Sequence, residues 1–103
     1  MKTEDKVYSL LTKIPKGKAT TYGAIAKTLN INPRLVGGIL SRNRHPDKYP
    51  CYKVIRSDRS LGGYTVNGKN NEKTLKIKVR KLKADGVKID ESGRVDKRCI
   101  FYG

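Results

Sequence analysis

The stretch TTYGAIAKTLNINPRLVGGILS, from Thr20 to Ser41, decides how this chain folds. Thr20 or Thr21 can cap a short helix that carries Ile25, Ala26 and Leu29 inward, because a threonine oxygen satisfies the free N–H groups of a first helical turn. After the tripeptide Asn30-Ile31-Asn32, the pair Asn32-Pro33 supplies a capping side chain followed by proline at the first helical position, where its missing N–H costs nothing. That predicts a further helix through about Ser41, with Leu35, Val36, Ile39 and Leu40 as its buried stripe. Two short helices joined by so tight a turn, the second flanked by Arg34, Arg42 and Arg44, have the layout of a helix-turn-helix whose second helix meets DNA. An ordinary helical hairpin with solvated arginines has the same layout. Gly37-Gly38 in mid-helix costs about 1 kcal/mol per glycine relative to alanine, which implies a close approach there, by a neighbouring helix or by a sugar-phosphate strand.

Upstream, Val7, Leu10, Leu11 and Ile14 recur with helical spacing. They predict an amphipathic helix from about Thr3 to Ile14, with Glu4 and Asp5 in its first turn and Pro15 and Gly17 ending it. Across all 103 residues, 24 lysines and arginines stand against nine aspartates and glutamates, a formal charge of +15. Such a field concentrates polyanions, and each phosphate neutralised releases counterions, so nucleic acid is the expected partner. The plainer reading is a solvated lysine-rich surface. The length suits one domain, and 36% apolar residues allow a small core but no large buried cavity. No run reaches the roughly 18 apolar residues of a membrane span, and the N-terminus lacks the apolar centre of a signal peptide. An intracellular, cytoplasmic monomer without a membrane partner is expected. Two cysteines 48 positions apart, without a CxxC pair and with one histidine in the chain, offer neither a disulfide framework nor a metal site.

Downstream of the helix pair, Asn43 to Pro50 contains two prolines and no periodicity, and reads as a loop leading to Tyr49-Pro50-Cys51-Tyr52-Lys53-Val54-Ile55. Proline before the cysteine and a β-branched strand after it place Cys51 at a chain reversal, where the thiol is expected to be displayed. Tyr52 to Arg56 predicts a short strand, Ser57 to Ser60 a turn, and Leu61-Gly62-Gly63-Tyr64 a return that brings Tyr64 and Thr65 back toward the cysteine. A basic helix follows from about Asn70 to Asp85. Leu75, Val79 and Leu82 are expected inward, Lys73, Lys76, Lys78, Arg80, Lys81 and Lys83 around the rest, and Gly86 as the C-terminal cap. Val87, Ile89 and Val95 around Asp90-Glu91-Ser92-Gly93 suggest a final short hairpin. The fold class is mainly α with short β segments: a winged helix-turn-helix-like three-helix core, an active-site loop, short strands and a basic C-terminal helix.

In this order the features resemble the O6-alkylguanine-DNA alkyltransferases, specifically their DNA-binding, cysteine-bearing domain. Ile14-Pro15-Lys16-Gly17 looks like the family's IPxG, Thr21-Tyr22-Gly23 its TYG, and Arg34-Leu35-Val36-Gly37-Gly38 its RAVGxA segment. Asn43 falls eight residues before Cys51, as in the family, and Pro50-Cys51-Tyr52-Lys53-Val54 stands where PCHRV is usual. Leu61-Gly62-Gly63-Tyr64 and Asp85-Gly86-Val87 are similar to the family's LGGY and EGV. The match runs from Val7 to about Val87. Many relatives carry an additional N-terminal domain, so the resemblance implies a minimal form or one part of a larger system. Asp90 to Gly103 lies beyond the matched motifs, and Cys99 is expected to be a core or surface-neutral residue.

Members of that family act once, moving an alkyl group from guanine O6 in duplex DNA to their own cysteine without a cofactor or metal. The base must first be turned out of the helix, at a cost of a few kcal/mol. By resemblance, Cys51 is the nucleophile and Tyr22 assists base rotation and protonates the leaving base. Arg34 is the finger that fills the gap, with Val36, Gly37, Gly38 and Arg42 on the DNA-binding helix. Asn43 braces the cysteine turn, and Pro50 and Val54 shape the substrate pocket. The carbonyls of Cys51 and Val54 read the guanine amino group, Thr65 and the backbone beside it donate to O6, and Tyr64 closes the pocket. Two departures stand out: Tyr52 replaces the histidine that draws the thiol proton through water, and Asp85 replaces the glutamate that orients it. A phenol is a poor proton acceptor at neutral pH. Activation is therefore expected from Lys53 and nearby N–H groups, with Tyr52 holding a water or donating to the thiolate. Two other readings stay open, a non-transferring lesion sensor and a plain helix-turn-helix DNA-binding protein.

Overall fold

The computed structural model describes residues 2–65 and 68–102. Helix α1, Thr3–Leu11, buries Val7 and Leu11. It stops short of Ile14 because the N–H groups of Lys13 and Ile14 reach back only three residues, to the carbonyls of Leu10 and Leu11, tightening the last turn. Ile14 is nevertheless buried. After the turn at Gly17 comes strand β1, Thr20–Thr21, whose second residue caps helix α2, Tyr22–Leu29, by accepting from the N–H of Ala24 at 3.0 Å. Asn30 closes α2 in the left-handed conformation that asparagine tolerates, with φ 55°. Helix α3, Pro33–Ser41, starts where the Asn32-Pro33 pair predicts, the Asn32 carboxamide accepting from the N–H of Arg34 at 2.8 Å.

The inward stripe of α3 is Val36, Ile39 and Leu40, whereas Leu35, expected with them, is 44% exposed. It lies about 100° around the helix from Val36 and overshoots the face that meets α1 and α2. Val36 is fully buried, so its side chain belongs to the core and not to the DNA face assigned to it. These residues join Val7, Leu11 and Ile25 in one core, which extends over Cys51, Val54 and Tyr64.

The strand expected over Tyr52–Arg56 is shorter. Cys51–Lys53 coil into a single 3-10 turn and only Val54–Ile55 form strand β2, paired parallel to β1 in the register Thr20 to Val54 and Thr21 to Ile55. Ala19 extends this ribbon through hydrogen bonds of 2.7 Å with Cys99 and Phe101, so the C-terminal segment lies against the strand pair. The final hairpin forms through a bridge between Ile89 and Val95, and a bridge between Ser60 and Arg94 joins it to the turn after β2. A second core collects Ala19, Ile55, Leu82, Val87, Val95, Cys99 and Ile100.

Helix α4, Glu72–Ala84, opens on a capping box between Asn71 and Thr74. It ends in a Schellman turn: Gly86 takes φ 94°, and the N–H groups of Gly86 and Val87 each donate at 3.0 Å, to Lys83 and Leu82. Its buried stripe is Thr74, Lys78 and Leu82, not Leu75, Val79 and Leu82, which moves Lys78 from the solvated side to the middle of the packed face. Among the described residues no helix is long and apolar enough to cross a membrane.

Candidate functional site

Asn43 is the first fixed point. Its Nδ2 donates to the carbonyl of Tyr49 at 2.8 Å, while its Oδ1 accepts from the N–H of His45 at 2.9 Å, so one side chain closes the loop before the cysteine. Tyr49 stacks on Tyr8 with ring centroids 4.9 Å apart, and the Tyr8 hydroxyl donates to the carbonyl of Ile39 at 2.9 Å, which ties the loop to α1 and α3. At Pro50 the chain reverses, and the N–H of Cys51 donates to Tyr49 at 2.8 Å as the 3-10 turn begins.

Cys51 is only 8% exposed, which corrects the expectation of a displayed thiol. Burial does not close it off, because a hollow of about 410 Å³ opens beside it, lined among others by Arg42, Asn43, Cys51, Tyr64, Thr65 and Lys81. That volume lies within the range of small-molecule sites. Both cysteines are unpaired, and among the described residues no three His, Cys, Asp or Glu side chains cluster as a metal would require. Tyr22 opens α2, half-buried. Burial first, and the neighbouring Cys51 second, push its phenol pKa upward, which keeps it a proton donor at neutral pH. Gly62 takes φ 68°, a left-handed conformation that glycine adopts without strain, where the return passes beside the Tyr22 ring.

Around Tyr52 the arrangement differs from the expected relay. Burial, and then the Asp85 carboxylate and Tyr64, raise the Tyr52 pKa, so even less of this phenol is ionised at neutral pH than of an ordinary tyrosine. Asp85 orients something else. Its Oδ2 sits 2.8 Å from Nζ of Lys53 and accepts from the N–H of Gly17 at 2.9 Å, while the same Nζ donates to the carbonyl of Pro15 at 2.9 Å. Lys53, 3% exposed, thus spends its charge in a knot that ties the end of α4 to the turn after α1.

Two lysines that periodicity places in solvent sit in the site. Nζ of Lys78 donates to the carbonyls of Val54 at 2.8 Å, Leu61 at 2.6 Å and Gly63 at 3.1 Å, clamping strand β2 to the glycine-rich return. Burial pushes its pKa down to about 8, against a smaller opposing pull from Cys51. The Val54 carbonyl assigned to the guanine is therefore engaged by an ammonium, and Val54 itself is buried in the core. Nζ of Lys81 donates to the Tyr64 hydroxyl at 3.1 Å, at that ring's edge, and lies 5.7 Å from the centroid of the Tyr52 ring. The signal that could have found Lys78 is its spacing of four from Thr74 and from Leu82, the ridge that α4 packs inward. Pro50, with Tyr52, Lys81 and Asp85, borders a second hollow on the far side of Tyr52.

Arg34 stands exposed in the first turn of α3, and no ion pair engages it among the described residues. Arg42 caps the other end, 3.9 Å from Glu4 in a solvent-exposed pair that contributes little. Between them, a Cβ on Gly37 would meet nothing within 4 Å and one on Gly38 only Nη1 of Arg42, at 3.4 Å. Among the described residues no neighbouring helix occupies that face, so the glycine pair leaves an open surface.

Comparison with known proteins agrees with this geometry. The family model for the DNA-binding domain of 6-O-methylguanine DNA methyltransferase matches residues 2–87. A bifunctional methyltransferase/endonuclease of Picrophilus torridus is 45% identical over 98 residues, 92% of this chain and 30% of that protein. The O6-methylguanine-DNA methyltransferase of the hyperthermophilic archaeon Pyrococcus kodakaraensis superposes with a TM-score of 0.70 at 38% identity, over 84% of this chain and 47% of that one. S. pombe Atl1, solved with damaged DNA containing O6-carboxymethylguanine, shares the fold over 98% of both chains, with a TM-score of 0.76 at 22% identity. This chain spans less than half the length of the curated relatives it matches here, 30% of one and 45% of another. With residues 2–87 under the family model and the fold shared with a solved relative at 38% identity, the chain belongs to the 6-O-methylguanine DNA methyltransferase family through its DNA-binding domain.

Proposed function

We propose that this chain repairs O6-alkylguanine in duplex DNA by a single transfer of the alkyl group to Cys51. The observation that carries this reading is the hollow of about 410 Å³ that the sulfur borders together with Asn43, Tyr64 and Thr65. A flipped guanine seated there brings its O6-alkyl carbon to the sulfur. The thiolate attacks that carbon, the carbon–O6 bond breaks, and the electron pair left on the base is neutralised by a proton, for which the Tyr22 phenol is the donor at hand. Arg34 fills the vacated stack, and the open face at Gly37-Gly38 lets the minor groove approach α3. The partner is double-stranded DNA inside the cell, engaged by a monomer without a cofactor.

A second reading rests on Tyr52, a phenol that stays protonated where the usual base would stand: binding of the flipped lesion without transfer. Mass spectrometry after incubation with duplex containing O6-methylguanine separates the two. Transfer adds one CH2 to the Cys51 peptide and consumes the lesion one for one. Lesion-selective binding with an unchanged Cys51 peptide would establish the sensor reading, and equal binding to undamaged duplex would defeat both.

A further inference from the structure

Tyr52 removes a base from the site, and the structure offers a replacement of a different kind. We infer that Lys81 activates Cys51: its ammonium, braced by the Tyr64 hydroxyl and the Tyr52 ring at the wall of the cysteine's hollow, stabilises negative charge on the sulfur. This deepens the proposed transfer reaction and rests on it for its biological meaning.

Lys81 lies on α4 three residues after Lys78, and among the described residues its Nζ has one hydrogen-bond partner, the Tyr64 hydroxyl at 3.1 Å. The hydroxyl edge of Tyr64 and the ring of Tyr52 hold it, with Nζ 5.6 and 5.7 Å from the two ring centroids. A lysine stem is otherwise free to swing into solvent, and cation–π attraction of this kind holds it in place. Lys81 and Cys51 border one hollow, so the ammonium faces the space in which the thiolate and the departing base both carry negative charge.

The other charged and titratable groups around the sulfur are Tyr8 from α1, Tyr22 from α2, Arg42 and Arg44 at and after the end of α3, Tyr64 from the return, and Lys78 from α4. No carboxylate lines the hollow among the described residues. Two carboxylates border a separate hollow with Lys81: Asp85, paired to Lys53 at 2.8 Å, and Asp47 from the loop before the cysteine. Lys78 is held by three carbonyls, and Arg42 and Arg44 are exposed, which leaves Lys81 as the cation both held in place and open to the hollow. Tyr52 then has a function that histidine cannot fill in the same way: a broad neutral ring that holds a cation where the family's relay would hold a water.

Alkylation of Cys51 by iodoacetamide, a small neutral electrophile, tests this on the whole chain without DNA. Sulfur displaces iodide, the thiol proton goes to solvent, and the rate follows the thiolate fraction across pH. In Lys81→Gln the pH of half-maximal rate should rise by on the order of one unit, a roughly tenfold loss of rate at neutral pH. Lys81→Arg should restore the wild-type profile. Tyr52→Leu should give a smaller rise, and adding it to Lys81→Gln should change nothing further. If Lys81→Gln fails to fold, Lys81→Met carries the same expectation. A profile moving by less than about 0.2 units without the ammonium, or additive effects of the two substitutions, would overturn the inference. If the shift appears while wild type takes no methyl group from DNA, the repair reading fails and the assignment of Lys81 stands; methyl transfer with an unmoved profile has the opposite meaning.

Discussion

At the residue scale, Asp85 shows how a position can match a family motif and still do different work. Its carboxylate is 17% exposed and paired to a lysine side chain that is 4% exposed, with the Gly17 N–H as a further donor. Removing one partner of such a pair leaves the other charge buried alone, which costs roughly 3 kcal/mol or more. Asp85→Ala is therefore expected to lower unfolding free energy by about that amount in urea titration, while the transfer rate per folded molecule changes little. A rate loss that outruns the stability loss would return Asp85 to the catalytic relay. Arg34 makes the converse case, an exposed side chain that no ion pair among the described residues explains. If it occupies the gap left by a flipped base, Arg34→Ala forfeits about 1–3 kcal/mol on duplex, roughly ten- to hundredfold in transfer rate. A free O6-alkylguanine base, which needs no flipping, should react at nearly the wild-type rate, and equal losses on both substrates would count against the wedge.

At the element scale, α3 is where local sequence spoke clearly. Asn32-Pro33 set its start, and its length follows from a short apolar stripe, because cap chemistry and periodicity are both local. Its glycines give a prediction. Gly37 faces open space, so Gly37→Ala should stabilise the free protein by up to about 1 kcal/mol through helix propensity while weakening duplex binding, read by urea melts and by fluorescence anisotropy on one protein sample. Unchanged affinity would mean that no strand comes near. What sequence could not reveal depends on contacts distant along the chain. The parallel pairing of Thr20–Thr21 with Val54–Ile55 joins segments more than thirty positions apart, and the bond from Ala19 to the C-terminal segment spans almost the whole chain. Lys78 escaped for the same reason. Its three carbonyl partners lie on β2 and the glycine-rich return, and periodicity alone treats a lysine as a surface residue. The burial of Cys51 was hidden likewise, since a proline-bounded turn fixes backbone direction but not what packs over the sulfur.

At the scale of the whole molecule, charge governs both binding and stability. With a formal charge of +15, duplex affinity should fall linearly in log–log plots against salt, and each phosphate-contacting arginine removed from the α3 region should reduce the slope by about one. Neutralising exposed lysines of α4, such as Lys73 or Lys76, should leave the slope unchanged if that helix faces away from DNA. Stability has its own pH signature. With its pKa pushed down to about 8 by burial, Lys78 binds fewer protons in the folded chain than in the unfolded chain between about 8 and its ordinary value near 10.5. Unfolding then takes up protons, so stability rises with pH across that window, by roughly 3 kcal/mol for a shift of this size. Above about 10 the balance reverses, because Tyr8, Tyr22 and Tyr52 have raised pKa values and keep protons in the folded chain that the unfolded chain releases. Self-repulsion among the other lysines also eases as they titrate, which lifts stability over part of the same range, so the profile of wild type alone is ambiguous. Lys78→Met resolves it. The variant leaves three carbonyls without their donor and should be less stable at every pH, but only the pH dependence matters. Urea titrations at intervals from pH 7 to about 10 should show the gap between wild type and variant widening as pH rises. Parallel curves would mean that the three carbonyls hold this ammonium as well as water does.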